Sequence, residues 1–189
     1  MSTDIQIASN ALVLLGVAPI SSFTDPGASA RVAANLFEST MISALTVHQW
    51  RFAIKKQRLN RLSQTPENEW QYAFQLPSDY LDVIGLYPPS QYQIYQNFLY
   101  SNQTDVTLDY KFRPTTPSMP GYFTKMMEYR LAVDFSIAVT QDENKKQVFW
   151  GQYKDELARA MCTDAQGHPN IAIRHSPFTD VRYGGGGGW

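Results

Sequence analysis

The fold is decided around residues 44–61, ALTVHQWRFAIKKQRLNR, where the spacing of the apolar residues changes. Before His48 the apolar residues recur every three or four positions, which is typical of one side of a helix. From Trp50 onward they recur every second position, as at Phe52 and Ile54, which is the period of a strand. We therefore expect a helix to end near His48 and a β region to begin at Trp50.

Two helices are expected before this point. The first covers residues 3–15, where Thr3 and Gln6 have the spacing of a capping box. The second is expected to begin with Asp25 as its N-cap and Pro26 in its first turn. The second helix has an apolar stripe at helical spacing that comprises Ala30, Ala33, Phe37, Met41, Ala44 and Leu45.

Alternating apolar residues predict further strands after a bend near Lys55. These strands are expected at residues 70–76, 81–87, 92–100 and 106–112. We expect the last two to form a hairpin around residues 101–105, because that linker is rich in turn-forming residues. Three prolines then close the β region.

Two more helices are expected in the C-terminal part of the chain. The third helix has apolar residues three or four apart at Phe123, Met127, Leu131, Phe135 and Ala138. Thr140 and Glu143 have capping-box spacing and are expected to begin the fourth helix, which Gly167 ends. The corresponding stripe on the fourth helix comprises Phe149, Tyr153, Leu157, Ala160 and Met161.

This order of helices and strands predicts an α+β fold. We expect a four-helix bundle core in which the two N-terminal helices meet the two C-terminal helices, formed by residues 1–49 and 114–167. Residues 50–113 would form an inserted antiparallel β lobe, and residues 168–189 an extended C-terminal tail.

The composition excludes several classes of protein. The 189 residues include 16 Lys or Arg and 17 Asp or Glu, so the strong positive charge of a general nucleic-acid binder is absent. The lone cysteine, Cys162, excludes an intrachain disulfide framework. The longest apolar stretch, residues 11–20, is shorter than the roughly 18 residues of a membrane span. We therefore expect no membrane partner. No basic residue precedes Arg31, so we do not expect a signal peptide either.

The sequence contains no recognisable catalytic, cofactor or metal motif. Cys162 and His168 could serve as nucleophile and base, but Cys162 follows an apolar stripe and is better interpreted as a small packing residue. Asp79 suits a turn, and Asp82 is expected to face solvent. We therefore predict no catalytic, cofactor-binding or metal-binding residue.

One basic run is the sharpest charge feature. It comprises Arg51, Lys55, Lys56, Arg58 and Arg61, and no acidic residue lies between Glu38 and Glu67. The run could contact phosphates or an acidic partner. The favoured interpretation is a solvated strand whose charges block unwanted edge pairing.

The C-terminal tail carries apolar residues in a segment too short for a core of its own. We expect residues 171–183 to dock on a partner, and residues 184–189, with five glycines, to be disordered. The partner-binding candidates in the tail are Ile171, Ile173, Phe178, Arg182 and Tyr183.

Two motifs resemble a known family. His48-Gln49-Trp50 followed by Phe52-Ala53 resembles a His-Pro-Trp…Phe-Ala element, with Gln49 in place of the proline. Residues 72–81, YAFQLPSDYL, resemble Tyr-Ala-Tyr-x-Leu-Pro-x-Asp-Cys-Leu, with Tyr80 in place of the cysteine. Over residues 3–166 the chain is similar to the tail tubular protein A family of short-tailed phages, which are head-to-tail adaptors.

The resemblance implies a virion protein made in the host cytoplasm and located at the neck. It implies a ring of identical subunits, usually a dodecamer, between the portal protein and the tail nozzle protein. DNA would pass through the ring without sequence-specific binding, and no catalytic group would be needed. Few charges and many aromatic residues fit large lateral interfaces. The alternatives are a small virion-associated hydrolase and a DNA-binding module that uses residues 51–61.

Overall fold

The computed structural model describes residues 3–64, 66, 67 and 69–167. The helices are α1 (Asp4–Leu14), α2 (Ala28–Thr46), α3 (Gly121–Phe135) and α4 (Glu143–Gln166), and a π-helical segment, Ser136–Thr140, joins α3 to α4. The strands are β1 (Ile54–Arg58), β2 (Asn60–Arg61), β3 (Tyr72–Gln75), β4 (Tyr80–Tyr87), β5 (Tyr92–Tyr95), β6 (Phe98–Ser101) and β7 (Thr107–Phe112). Four helices and two antiparallel sheets make this an α+β fold, as predicted.

The helices share one hydrophobic cluster, with α3 in contact with α1, α2 and α4. The apolar stripe of α2 is buried as predicted, and Phe37 and Met41 lie within this cluster. On α3 the buried stripe ends at Phe135, because Ala138 lies in the π-helical segment and is exposed. Burial of apolar side chains is the main source of stability here.

Helix α4 packs through a narrow face. Along its 24 residues the buried side chains are Tyr153, Ala160 and Asp164. Phe149 and Leu157 from the predicted stripe are half-buried against the cluster. Most of the surface of α4 therefore faces away from the rest of the described chain.

The N-cap predicted from the sequence is present at one helix and absent at two others. Thr3 and Gln6 form the predicted capping box on α1. The Asp25 carboxylate accepts from the Ser21 and Ser22 amides, so Asp25 closes the preceding loop and α2 begins at Ala28. The N-cap of α2 is Gly27, which makes no side-chain cap, so the prediction that Asp25 caps this helix is wrong. An aspartate can bind nearby loop amides as well as those of a helix.

At α4 the N-cap is also different from the predicted one. Asp142 caps the helix by accepting from the Asn144 and Lys145 amides. The Thr140 hydroxyl instead donates to the Ser136 carbonyl oxygen at 2.6 Å inside the π-helical segment. The predicted Thr140 capping box is therefore wrong.

The predicted strand at Trp50 is also wrong, because Arg51–Ala53 form a 3-10 turn and β1 begins at Ile54. Trp50 is fully buried in the helical cluster, and its indole N–H donates to the Ala44 carbonyl oxygen at 2.8 Å. The alternation of Trp50 and Phe52 thus reflects packing against α3 and not a sheet.

The seven strands form a three-stranded sheet, β1-β7-β4, and a four-stranded sheet, β2-β3-β6-β5. The chain passes from the first sheet to the second at Leu59, four residues beyond Lys55, where the bend was expected and where β1 pairs with β7 without interruption. A second hydrophobic cluster draws residues from both sheets: Leu59, Phe74, Leu76, Leu99, Val106, Leu108 and Tyr110.

The predicted hairpin between residues 92–100 and 106–112 is not formed. Instead β5 and β6 pair with each other, and Gln96 adopts a positive φ of 54° in the turn between them. Strand β7 pairs with β1 and β4. Alternation shows which residues face a core, but it does not show which strand is the neighbour.

Candidate interaction surfaces

The basic run is largely neutralised by acidic residues of the same chain. In the first sheet, Lys55 Nζ lies 2.6 Å from Asp79 Oδ2. Lys56 Nζ lies 3.3 Å from Asp109 Oδ2 on the neighbouring strand β7. Arg58 pairs with Asp105, just before β7. These pairs reduce the positive charge that β1 offers to a phosphate.

The two ends of the basic run have different partners. The Arg61 guanidinium lies over the Tyr72 ring, 5.0 Å from its centroid. Arg51 lies beside α4, where its Nη1 donates to the Asp164 carbonyl oxygen at 3.0 Å. The structure therefore spreads the five predicted residues over two sheets and a helix junction, and does not gather them into one patch.

Asp79 is the centre of a small polar network in the first sheet. Its carboxylate accepts from Lys55 and from the Tyr110 hydroxyl, the latter at 3.0 Å. The hydrogen bond from Lys55 lowers the pKa of Asp79 against the opposing effect of burial, and Tyr110 adds to the lowering. Burial, followed by the bond to Asp79, raises the pKa of Tyr110 to about 12. Asp79 is therefore more than a turn residue, since it ties β1 to β7.

Lys111 links the first sheet to the helices. This lysine on β7 is 6% exposed, and its Nζ donates to the Thr46 carbonyl oxygen at the end of α2 at 2.7 Å. The same Nζ lies 3.1 Å from Asp82 Oδ2. A carbonyl at a helix C-terminus attracts a cation. Asp82 thus has a specific partner, while its side chain stays 47% exposed to solvent.

A second polar junction joins α4, α3 and the start of the β region. Asp164 is 3% exposed, and its carboxylate accepts from the Arg51 amide at 3.2 Å. The Tyr122 hydroxyl donates to the same carboxylate at 2.6 Å. Burial and this hydrogen bond raise the pKa of Tyr122 above its ordinary value. A buried carboxylate with several donors fixes the relative position of the elements that supply them.

A third junction lies where β7 leads into α3. Arg113 Nε lies 2.7 Å from Glu38 Oε1 on α2, and its Nη2 lies 3.3 Å from Asp4 Oδ2 on α1. Thr116 also donates to Asp4. The guanidinium thereby connects both N-terminal helices to the chain that leaves the sheet.

An open cavity of about 560 Å³ lies between α3 and the first half of α4. The Arg130 guanidinium lies over the rings of Trp150 and Tyr153, at 5.6 and 5.3 Å from their centroids. Asp134 accepts from the Thr40 hydroxyl at 2.8 Å and pairs with Arg130 at 3.5 Å. Arg130 and Asp134, two of the polar residues that line the cavity, therefore have partners within the chain.

Several large apolar side chains of the π-helical segment and α4 remain exposed, and one of them, Trp150, lines the cavity. Ile137 is 49% exposed, Val148 59% and Trp150 42%. The sequence analysis did not single out these positions, although Val148 and Trp150 flank the predicted stripe residue Phe149. Val148 and Trp150 lie two residues apart on α4 and therefore point to different sides of the helix.

No known family model and no curated protein matches this sequence. Among the described residues, no helix is long and apolar enough to cross a membrane.

The structure describes one member of the pair considered for catalysis and not the other. Cys162 is exposed on α4, and His168, its possible base, lies outside the described residues. Within the described ranges, no three His, Cys, Asp or Glu residues are grouped in a way that could hold a metal ion. The five tail candidates, Ile171, Ile173, Phe178, Arg182 and Tyr183, also lie outside these ranges.

Proposed function

We propose that this chain is a structural head-to-tail adaptor of a tailed phage. Copies of it would form a ring, most simply a dodecamer, between the portal and the tail nozzle, and DNA would pass through the lumen. The observation that carries the proposal is the position of the two motifs behind the resemblance. Trp50 is fully buried in the helical cluster, and Phe74 is fully buried in the β cluster. Both motifs thus contribute to the hydrophobic clusters, as expected in a family whose members work through structural contacts.

The division of the molecule into two clusters supports separate roles for its parts. The four helices would form a bundle that makes the body of the ring. Helix α4 has a broad exposed surface and could provide lateral contacts, including those of Val148 and Trp150. Ring contacts of this kind join two different patches on neighbouring subunits. The β region, residues 50–113, would face the next tail component or a neighbouring subunit.

The internal ion pairs of β1 are compatible with DNA passage. A lumen that held phosphates with many free lysines would bind DNA strongly and slow its movement. Lys55 and Lys56 each have an acidic partner in this chain. This arrangement supports passage without sequence-specific binding over the alternative of a DNA-binding module.

The proposal includes no catalytic step and no cofactor. The partners would be other copies of the chain, the portal protein and the nozzle protein, and the protein would reside at the virion neck after synthesis in the host cytoplasm. A virion-associated hydrolase would instead require convergent polar groups in a cleft. In the cavity beside Trp150, Arg130 and Asp134 pair with each other.

Native mass spectrometry tests the proposal directly. The purified chain is measured alone, and then mixed with the portal protein from the same virus. We expect a closed oligomer of this chain, either alone or on the portal. A chain that stays monomeric and leaves the mass of the portal unchanged would overturn the proposal.

A further inference from the structure

One face of the second sheet consists of uncharged side chains. Directly paired residues of antiparallel strands point to the same side, so the pairing of β2, β3, β6 and β5 assigns each residue to a face. One face packs into the β cluster through Phe74, Leu99 and Ile94. The opposite face, called the outer face below, comprises Asn60, Ala73, Gln75, Gln93, Tyr95, Phe98 and Tyr100. Amides and aromatic rings thus lie side by side on this face.

The aromatic side chains of the outer face are accessible to a ligand. Tyr95 is 49% exposed, and its ring centroid lies 5.7 Å from that of Tyr100. Phe98 and Tyr100 are half-buried, and both line an open cavity of about 230 Å³. Gln64 and Glu67, from the chain before β3, also line this cavity. The cavity therefore combines aromatic rings with groups that form hydrogen bonds.

The chain itself orients two amides of the outer face. Gln93 Oε1 accepts from the Trp70 indole N–H at 3.0 Å, so its amide hydrogens are the groups that can bind a ligand. Gln75 Nε2 donates to the Asn97 carbonyl oxygen at 3.3 Å, so its Oε1 can accept from a ligand. A ligand that binds side chains already held in place loses less affinity to their ordering. The outer face thus presents an oriented donor and an oriented acceptor.

The charges of the second sheet indicate the class of ligand. A nucleic acid needs cations for its phosphates, even where its bases stack on aromatic rings. Arg61 is the one charged residue of these four strands. It pairs with Phe74 and lies over the Tyr72 ring, so it belongs to the opposite face. Glu67 in the cavity would repel a phosphate. The outer face therefore matches a neutral ligand.

A sugar has the properties that this face requires. Its hydroxyl groups both donate and accept hydrogen bonds, and the C–H groups of its ring pack against aromatic side chains. An extended peptide, by contrast, binds a sheet along an edge through main-chain hydrogen bonds, and not across a face.

We propose that the outer face of the second sheet binds a neutral oligosaccharide. Tyr95 and Tyr100 pack against its sugar rings, while Gln93 donates to a hydroxyl oxygen and Gln75 accepts from a hydroxyl group. The site binds the sugar without breaking a bond in it. This inference goes beyond the adaptor role and requires neither a ring of copies nor a partner protein.

Saturation-transfer difference NMR with the full-length chain tests the proposal, because it detects weak ligands whatever the size of the assembly. The probes are two neutral hexasaccharides of different shape, the extended cellohexaose and the curved maltohexaose. We expect saturation to pass from the protein to the ring protons of at least one of them. Titration of that hexasaccharide then gives its Kd.

Variants locate the bound sugar on the outer face. Tyr95→Ala should weaken binding roughly three- to tenfold, whereas Tyr95→Phe keeps the ring and should bind like the wild type. Gln93→Leu removes the amide donor and should also weaken binding. Tyr87→Ala is the matched control, since Tyr87 is 67% exposed on β4 of the other sheet, and it should leave the Kd unchanged. Circular dichroism verifies that each variant is folded.

The absence of saturation transfer to either hexasaccharide would overturn the proposal. So would binding that neither Tyr95→Ala nor Gln93→Leu weakens, because the sugar would then lie elsewhere. A thymidine hexanucleotide is measured in parallel. If it bound more tightly than either sugar, and Tyr95→Ala abolished that binding, the face would be a site for single-stranded DNA. A chain that assembles on the portal but binds neither sugar contradicts this inference alone and leaves the adaptor proposal intact.

Discussion

Tyr122 on α3 donates its hydroxyl hydrogen to the Asp164 carboxylate on α4 over 2.6 Å. The same carboxylate accepts the Arg51 amide at the entrance to the β region. One buried side chain therefore connects the N-terminal end of α3, the C-terminal end of α4 and the turn that leads into β1. The relative placement of the helical and β clusters depends on this junction.

Asp164→Ala should therefore destabilise the protein strongly. It leaves the Tyr122 hydroxyl and the Arg51 amide without their acceptor, so we expect the free energy of unfolding to fall by about 2–3 kcal/mol. Urea unfolding followed by circular dichroism measures this change. Asp155→Ala is the matched control, because Asp155 is exposed on the same helix, and it should cost less than about 0.5 kcal/mol. If Asp164→Ala and Asp155→Ala lowered the free energy of unfolding equally, the hydrogen bonds of Asp164 would not stabilise the fold.

Asp79 should make stability depend on pH in the acid range. Its pKa is lowered in the folded chain, chiefly by the hydrogen bond from Lys55, whereas the unfolded value is near 3.9. The stabilisation is thus present above about pH 4 and is lost as the pH falls through the lowered pKa. Wild type should therefore exceed Asp79→Asn in stability at pH 7, and the difference should shrink below about pH 4.

Urea midpoints measured between neutral and strongly acid pH provide the test for Asp79. Asp155→Asn serves as the control, since Asp155 is exposed on α4 and has no part in this network. A difference for Asp79→Asn that stays constant down to the lowest pH would mean that the network with Lys55 does not stabilise the fold.

Tyr110 should make the stability of the fold depend on pH in the alkaline range. Its pKa is raised from 10.0 to about 12, first by burial and then by Asp79. The unfolded chain ionises this phenol first, so the stabilisation is complete below about pH 10 and is lost as the pH rises towards 12. Ultraviolet titration should show a phenolate transition near pH 12 that Tyr110→Phe removes. Persistence of the full transition in Tyr110→Phe would assign it to another tyrosine.

The ion pairs of β1 predict how the chain responds to DNA. Replacing Lys55, Lys56 and Arg58 with glutamine should leave the affinity for duplex DNA at low salt nearly unchanged, because these groups already have acidic partners. If they contacted phosphates, each loss would reduce the slope of log K against log salt concentration by about 0.9.

The reverse experiment removes the acidic partners instead. Replacing Asp79, Asp105 and Asp109 with asparagine frees three cations on one strand, so we expect affinity for DNA to increase. Fluorescence anisotropy with a labelled duplex measures the DNA affinity of the glutamine variant and of the asparagine variant. A large loss of affinity in the glutamine variant, with no gain in the asparagine variant, would instead favour the DNA-binding alternative.

The positions of the helices could be predicted from the sequence because the residues that favour them lie close together in the chain. The capping box of Thr3 and Gln6 and the stripe of α2 involve residues a few positions apart, and both are present. The pairing of the strands could not be predicted in this way. Strand β7 lies between β1 and β4, and no residue near Val106 specifies that choice over pairing with β6.

The charged surface was also only partly predictable. The basic run is visible in the sequence, but its acidic partners lie far along the chain, as with Lys55 and Asp79 or Lys56 and Asp109. Such pairs form only when the sheet brings the strands together.

The most direct test of the central claim is electron cryo-microscopy of the particle that contains this chain. The account predicts a ring of copies at the neck, seated between portal and nozzle, into which the helical and β regions fit as described. A neck in which portal and nozzle meet without density for this chain would contradict it.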